Sequence, residues 1–486
     1  MKLFQKEIPY LLIAALLIVT GLLFDNSLLA FAVCALLAVF AFLNPNLGLM
    51  ILLIVVPLRT FFIALNPAYK VIGDIIIVAL LFKTFYNYRH DVKSLFKFQV
   101  FEIAFFAFIG IGVISAFISE TSPSVIAIIF QIRAYVLYYI VYYVVKRTNF
   151  EKVVIQKFAG ITFVTAVIIS LHGFVEKISD KTLLMPEAWT QWSLSVTNHV
   201  RVYGLLKGPN ELALYLIIAF LISLYLLKFL SKKQSFLIYS GLSIIGTTFL
   251  LTYSRGAFLA LGVFIVGYLL VYRSIKGFKP IIFTAVVSIL LFIGVNYSAD
   301  FYVNHLMNET DIHGEVVNND SNNETNFGTD RFKEAFSEDT IGLSSADGRI
   351  YYVTKAIEVF KDYPVIGAGF ATFGGAATLA YSSPIYEKYD IWSNFYSDNQ
   401  YILTITETGT LGVLALIVFI IGLFLFTLKM HKQNEYAISL TLFFFFITMM
   451  VGGLVYNILE IDTFMMYYFL LLGFAYQRDL HHQTIK

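Results

Sequence analysis

The sequence predicts an all-α polytopic membrane protein of about 12–14 transmembrane helices with one long, partly helical loop outside the bilayer. Three observations predict it. Of 486 residues, 58% are hydrophobic and 14% charged, against roughly 25% charged in soluble domains. Mean hydropathy is +0.76, and apolar runs near the ~20 residues that cross a bilayer recur from end to end. Between Ser298 and Asn399 a polar stretch holds half of the 32 acidic residues. The net charge of +2 is nearly balanced and says little about partners; no nucleic-acid partner is expected. The single cysteine, Cys34, lies in an apolar run, which excludes an intramolecular disulfide and a cysteine-based metal site.

The elements follow in order. A short basic lead carrying Lys2 and Lys6 enters Ile8–Phe24, and Asp25-Asn26 turns directly into Ser27–Leu43. Two adjoining runs read as a membrane hairpin rather than a cleaved signal. Gly48–Leu65 carries Arg59, and Val71–Tyr86 ends in a basic segment from Lys83 to Lys97. Val100–Ile118 pairs with Val125–Val145, whose first half holds Arg133, and a second basic segment runs from Lys146 to Lys157. Val154–Phe174 precedes a medium polar loop, 176–210. Then come Leu212–Leu227, Phe236–Thr252, Ala257–Tyr272 and Ile281–Val295, followed by the long loop 298–399. Tyr401–Leu428, Ile438–Val455 and Thr463–Tyr476 complete fourteen runs.

Lysine and arginine set the expected orientation. With the N-terminus inside, 20 of the 34 basic residues fall on short inner connections, and both termini are cytoplasmic. The long loop is then extracytoplasmic. Residues 305–345 are rich in Asn, Asp, Glu, Ser and Thr, a composition too polar to bury a core, and are expected to be mobile. Residues 347–362 change character: Ile350, Val353, Ile357 and Phe360 recur at helical spacing up to Pro364. An amphipathic helix at the membrane surface is expected there. The glycines of Gly367-Ala-Gly369 are expected to form a tight turn at that surface. The half from Arg349 to Asp398 is expected to act as a lid.

Walker, HExxH, CxxC and GxSxG motifs are absent from the sequence. What stands out is arginine near the expected outer face: Arg133 in a span, Arg201 before one, Arg255 between two, and Arg349 at the amphipathic helix. Each has a structural reading, pairing with a carboxylate or with helix-end carbonyls. Together they suit a diphosphate, because the planar guanidinium binds phosphate oxygens bidentately. Lys207 adds a fifth positive charge.

Four motifs in order carry a resemblance. Arg201-Val-Tyr-Gly-Leu-Leu-Lys-Gly-Pro-Asn210, Thr252-Tyr-Ser-Arg255-Gly, Asp347-Gly-Arg349 followed by Pro364-Val-Ile-Gly367, and Asp398-Asn399-Gln-Tyr401 through Glu407 to Gly412 resemble the O-antigen ligase and polymerase superfamily. The resemblance implies a GT-C-like membrane glycosyltransferase using an undecaprenyl-diphosphate-linked glycan on the outer side of the membrane. It implies that the motif arginines hold the diphosphate. Ligases of that family have His-Asn where this chain has Asp398-Asn399, and the histidine is their proposed base. Asp398 can fill that role, since a carboxylate can take the proton of a sugar hydroxyl. Its structural reading is a helix N-cap. Asn210, Asn399 and Glu407 are expected to support the site, with Glu407 either pairing with an arginine or joining the chemistry.

The scheme requires no metal and no cofactor. The absent histidine favours a polymerase of cell-wall or capsular polysaccharide, of which a teichuronic acid polymerase is an example. Other envelope polysaccharide assembly proteins are the expected partners. Two alternatives remain at this stage: a ligase moving a finished glycan to another acceptor, and a non-catalytic transporter of lipid-linked glycans.

Overall fold

The computed structural model describes residues 6–24, 26–192, 194, 196–272, 279–303, 349–393, 395–433 and 435–485. The segment 305–345, expected to be mobile, lies outside the described residues. All fourteen apolar runs are helices. They are α1 (Ile8–Leu23), α2 (Ser27–Leu43), α3 (Pro45–Leu65), α4 (Ile72–Asn87), α5 (Val100–Ile118), α6 (Val125–Val145) and α7 (Lys152–Ile178). Next are α8 (Pro209–Leu224), α9 (Lys232–Leu251), α10 (Arg255–Tyr272) and α11 (Lys279–Tyr302). The amphipathic helix α12 (Arg349–Asp362) precedes α13 (Gln400–Lys432), α14 (Tyr436–Gly452) and α15 (Asp462–Ile485). Eight of these helices are long and apolar enough to cross a membrane. The protein is an all-α polytopic membrane protein.

The polar breaks between runs start the helices. Asn26, Asn44 and Ser124 accept hydrogen bonds from first-turn N–H groups of α2, α3 and α6, and Ser231 with Gln234 forms a capping box on α9. Such caps satisfy amides that have no partner within the helix.

Ion pairs tie like ends together. Lys157 meets Glu7 at 2.7 Å and Lys429 meets Asp479 at 2.7 Å. At the other end Arg59 meets Asp462 at 2.6 Å and Arg133 meets Asp74 at 2.5 Å. The grouping follows the antiparallel alternation that the charge pattern predicts. Inside the bundle α5 packs along α13 and α6 along α15, while the exposed leucines of α1 and α11 face outward.

A buried charge pair joins α5 to the end of α6. Glu102 accepts from Lys146 Nζ at 2.5 Å, from Tyr139 OH at 2.6 Å and from the Gln99 N–H at 2.8 Å. Lys146 lies 4.9–5.7 Å from the ring centroids of Phe98, Tyr142, Tyr143 and Tyr476. Removing one member leaves the other charge buried without its partner, so Glu102→Ala is expected to destabilise by about 3–5 kcal/mol. Thermal unfolding in detergent checks this.

The helix α12 appears where the periodicity places it, but with an unexpected inner face. Ala356 and Val359 are buried with Tyr386 and Phe395, while Ile350, Val353 and Ile357 are exposed. The apolar stripe therefore points away from the protein, as a helix lying on a membrane surface requires.

The next segment overturns the expected surface turn. Residues 367–373 are fully buried, wedged between α5 and α13. Ser115 Oγ donates to Gly367 O at 2.5 Å, Thr121 Oγ1 donates to Ala368 O at 2.8 Å, and the Phe370 N–H donates to Gly112 O at 3.0 Å. The helix α13 is broken at Gly409, with φ 58° and ψ −163°. The break orphans carbonyls on one side and amides on the other. The Ala368 and Gly369 N–H groups donate to Thr406 O and Glu407 O at 2.8 and 2.9 Å. In return the Thr410 and Leu411 N–H groups donate to Pro364 O and Val365 O, both at 3.0 Å. Irregular backbone within a membrane domain persists only where protein satisfies it in this way.

Glycine is required at this crossing. Gly367 has φ 77°, and a Cβ there would overlap the backbone of Glu407 and Thr408. Gly409 faces Gly367 N at 2.5 Å and Val365 C at 2.6 Å from the same ideal Cβ position. Overpacking plus a left-handed residue makes Gly367→Ala cost about 3 kcal/mol or more. A lowered melting temperature in detergent is the expected reading.

Candidate active site

The candidate residues converge on the connection between α14 and α15, residues 453–461. Tyr456 and Asn457 are buried at its centre. Tyr456 OH and Ser254 Oγ lie 3.0 Å apart, Ser254 Oγ donates to Asn210 Oδ1 at 3.0 Å, and Arg201 Nη2 donates to the same oxygen at 2.5 Å. Gly256 carries no Cβ that would overlap the Tyr456 hydroxyl. This chain of contacts brings the Arg201–Asn210 loop and the start of α10 to one place.

Arg201 is half-buried and held from three sides. Its Nε donates to Thr252 O at 2.8 Å and its Nη1 to Asn198 Oδ1 at 3.2 Å, besides Asn210. These acceptors orient the guanidinium. The loop behind it is anchored by the buried Glu176, which accepts from the Tyr203 N–H at 2.9 Å and the Gly204 N–H at 2.6 Å. Lys181 pairs with Glu176 and donates to Arg201 O at 2.7 Å.

Asp398 reaches the same connection from the other side. The Ser397 hydroxyl donates to Asn457 Oδ1 at 2.8 Å and the Asn399 N–H donates to it at 3.0 Å. The Gln400 N–H donates to Gly453 O at 2.8 Å. Clamped on both sides, Asp398 sits at φ 46°. Few residues other than glycine adopt this conformation, and Asp and Asn are among those that do. The helix cap is Asn399, whose side chain accepts from the Tyr401 and Ile402 N–H groups at 3.0 and 3.2 Å. The capping role considered for Asp398 therefore falls to its neighbour, and the Asp398 side chain stays half-buried outside the helix.

The remaining candidates divide. Arg255 is the exposed first residue of α10, where the N-terminal end of the helix dipole also favours an anion. Lys207 is exposed, with Nζ 5.7 Å from the Tyr396 ring centroid, two residues before Asp398. Arg349 opens α12, and its side chain lies outside the described residues. Arg133 is engaged by Asp74 through Nε at 2.5 Å and Nη2 at 2.6 Å, the structural reading of an intramembrane arginine. Glu407 is buried deep at the broken helix. It accepts from the Thr372 and Phe373 N–H groups at 3.1 and 3.3 Å and so fastens the wedge rather than an arginine.

One carboxylate had no sequence signal strong enough to be singled out. Glu460 Oε1 accepts from Gln131 Nε2 at 2.6 Å, and Oε2 accepts from the Ala376 N–H at 3.0 Å and Tyr396 OH at 3.1 Å. The residue keeps a partly exposed edge, yet burial of its carboxyl pushes the pKa up, opposed by these donors. Its sign in the sequence is the Glu460/Asp462 interruption between two apolar runs. Among the described residues no group of three His, Cys, Asp or Glu side chains is placed to hold a metal ion.

Residues 240–417 match the family model described as O-Antigen ligase. This stretch is similar to the O-antigen ligase family. The matched stretch runs from α9 to the broken part of α13 and contains Arg255, Arg349, Asp398 and Glu407. The O-antigen ligase family carries out glycan transfer of the ligase and polymerase type. Arg201, Asn210 and Glu460 lie outside the matched stretch, yet Arg201 donates to Thr252 O within it, Ser254 within it donates to Asn210, and Ala376 and Tyr396 within it donate to Glu460. No curated protein matches the chain.

Proposed function

We propose that this protein polymerises undecaprenyl-diphosphate-linked oligosaccharide units into a cell-wall or capsular polysaccharide on the outer face of the cytoplasmic membrane, with both termini inside. One observation carries the reading: a half-buried carboxylate in a constrained backbone, Asp398, is fastened to the same short connection as the oriented guanidinium of Arg201.

The chemistry is an inverting displacement. Asp398 takes the proton of an acceptor sugar hydroxyl, and that oxygen forms a bond to the anomeric carbon of the donor. The bond from that carbon to the diphosphate breaks, and the lipid diphosphate leaves with the electron pair. Arg201, Arg255, Arg349 and Lys207 stabilise the departing charge. Arg133, already engaged by Asp74, leaves this set. Asn210 and Asn399 position the arginine and the helix start, and Glu407 holds the wedge. No metal or cofactor enters the scheme.

Transfer of a finished glycan to a different acceptor is the second reading, favoured by the description of the family model itself. It uses the same residues. Purified protein supplied with a lipid-diphosphate-linked oligosaccharide is expected to give longer lipid-linked chains. Transfer only to an acceptor without the lipid diphosphate would select the ligase reading, and no transfer at all would overturn both.

A further inference from the structure

A second site lies at the opposite end of the bundle. A cavity of about 1010 Å³ opens among α7, α8, α10, α14 and α15. Its interior is apolar, with Leu53, Phe158, Leu221, Phe264, Leu470 and Phe474 on the walls. Tyrosines 225, 239, 268 and 436 also line it. Tyrosine at this depth marks the boundary between hydrocarbon and headgroups.

The mouth is charged. Lys228, at the end of the turn that follows α8, lies 5.9 Å from the Tyr225 ring centroid. Arg478 of α15 and His431 join it, and Glu435 contributes one negative charge. Lys228 and Arg478 against Glu435 leave the lip net positive. An apolar chamber with charged groups beside it suits a ligand with an apolar body and a charged head.

We propose that this cavity binds an anionic phospholipid of the inner leaflet, its acyl chains among the apolar walls and its phosphate against Lys228 and Arg478. The lipid-diphosphate donor does not fit the same role. Asn210, in the candidate active site, begins α8 and Lys228 follows its end. That separates the two headgroup positions by roughly 27 Å at 1.5 Å per residue. Basic residues at an inner surface attract anionic lipid there.

Native mass spectrometry of the purified protein in mixed micelles of equal phosphatidylglycerol and phosphatidylcholine tests the site. Preferential retention of phosphatidylglycerol is expected. The Lys228→Gln, Arg478→Gln double variant is expected to lower that preference about fivefold for each cation removed. Thr441→Trp, which fills the chamber and keeps both cations, is expected to reduce retention of both lipids. Equal retention of the two lipids by the native protein would overturn the proposal. So would an unchanged preference in the double variant, or displacement of phosphatidylglycerol by a polyprenyl phosphate. Asp398→Asn is expected to leave retention intact, which separates this site from the transfer reaction.

Discussion

Asp398→Asn is expected to lower glycan transfer by about 10²–10⁴-fold, the contribution of a positioned general base. The substitution is nearly isosteric and keeps the backbone clamp, because asparagine also tolerates the left-handed conformation found here at φ 46°. The hydrogen bonds from Ser397 and Asn399 to Asn457 do not involve the Asp398 side chain. The rate of chain elongation is expected to fall while the backbone clamp is kept. Asp398→Glu keeps a carboxylate but moves it by one methylene, and partial activity is expected. An asparagine variant with native elongation rate would remove Asp398 from the base role.

Arg255→Ala is expected to cost about 10²–10³-fold in turnover, the usual effect of deleting one group that stabilises charge in a transition state. Arg255 is exposed at the start of α10, so its loss should change stability by no more than about 0.5 kcal/mol. Arg255→Lys retains the charge and loses the planar fork, and intermediate activity is expected. Steady-state kinetics decide between roles. A fall in kcat with little change in KM marks an interaction made as the diphosphate leaves, whereas a rise in KM alone marks donor binding.

The fourteen helices could be read from the sequence because bilayer hydrocarbon imposes one rule on every run: enough apolar residues to span, with polar caps at the breaks. Helix α12 was legible from its periodicity for the same kind of reason. Its packing face was not, since Ala356 and Val359 are too small and too few to outweigh Ile350, Val353 and Ile357 in any pattern. The wedge was hidden because Gly367 to Gly374 looks like surface turn chemistry, and only the break at Gly409 explains why it is buried. Those two glycines lie more than forty residues apart in the sequence. The base candidate was visible as a charged residue before a long run, but which of Asp398 and Asn399 caps the helix depends on backbone geometry. Pairings such as Arg133 with Asp74 and Gln131 with Glu460 join distant runs, so spacing carries no trace of them.

The exchange of hydrogen bonds between the wedge and the broken α13 has a consequence for biogenesis. Without residues 364–369, the outer part of α13 would enter the bilayer with two carbonyls and two amides unsatisfied, each costing several kcal/mol in hydrocarbon. The wedge emerges from the ribosome before α13 and is available when that helix forms. Helix α5, which holds the other side of the wedge, is synthesised earlier still. The segment that completes α13 is thus in the chain before the helix that needs it.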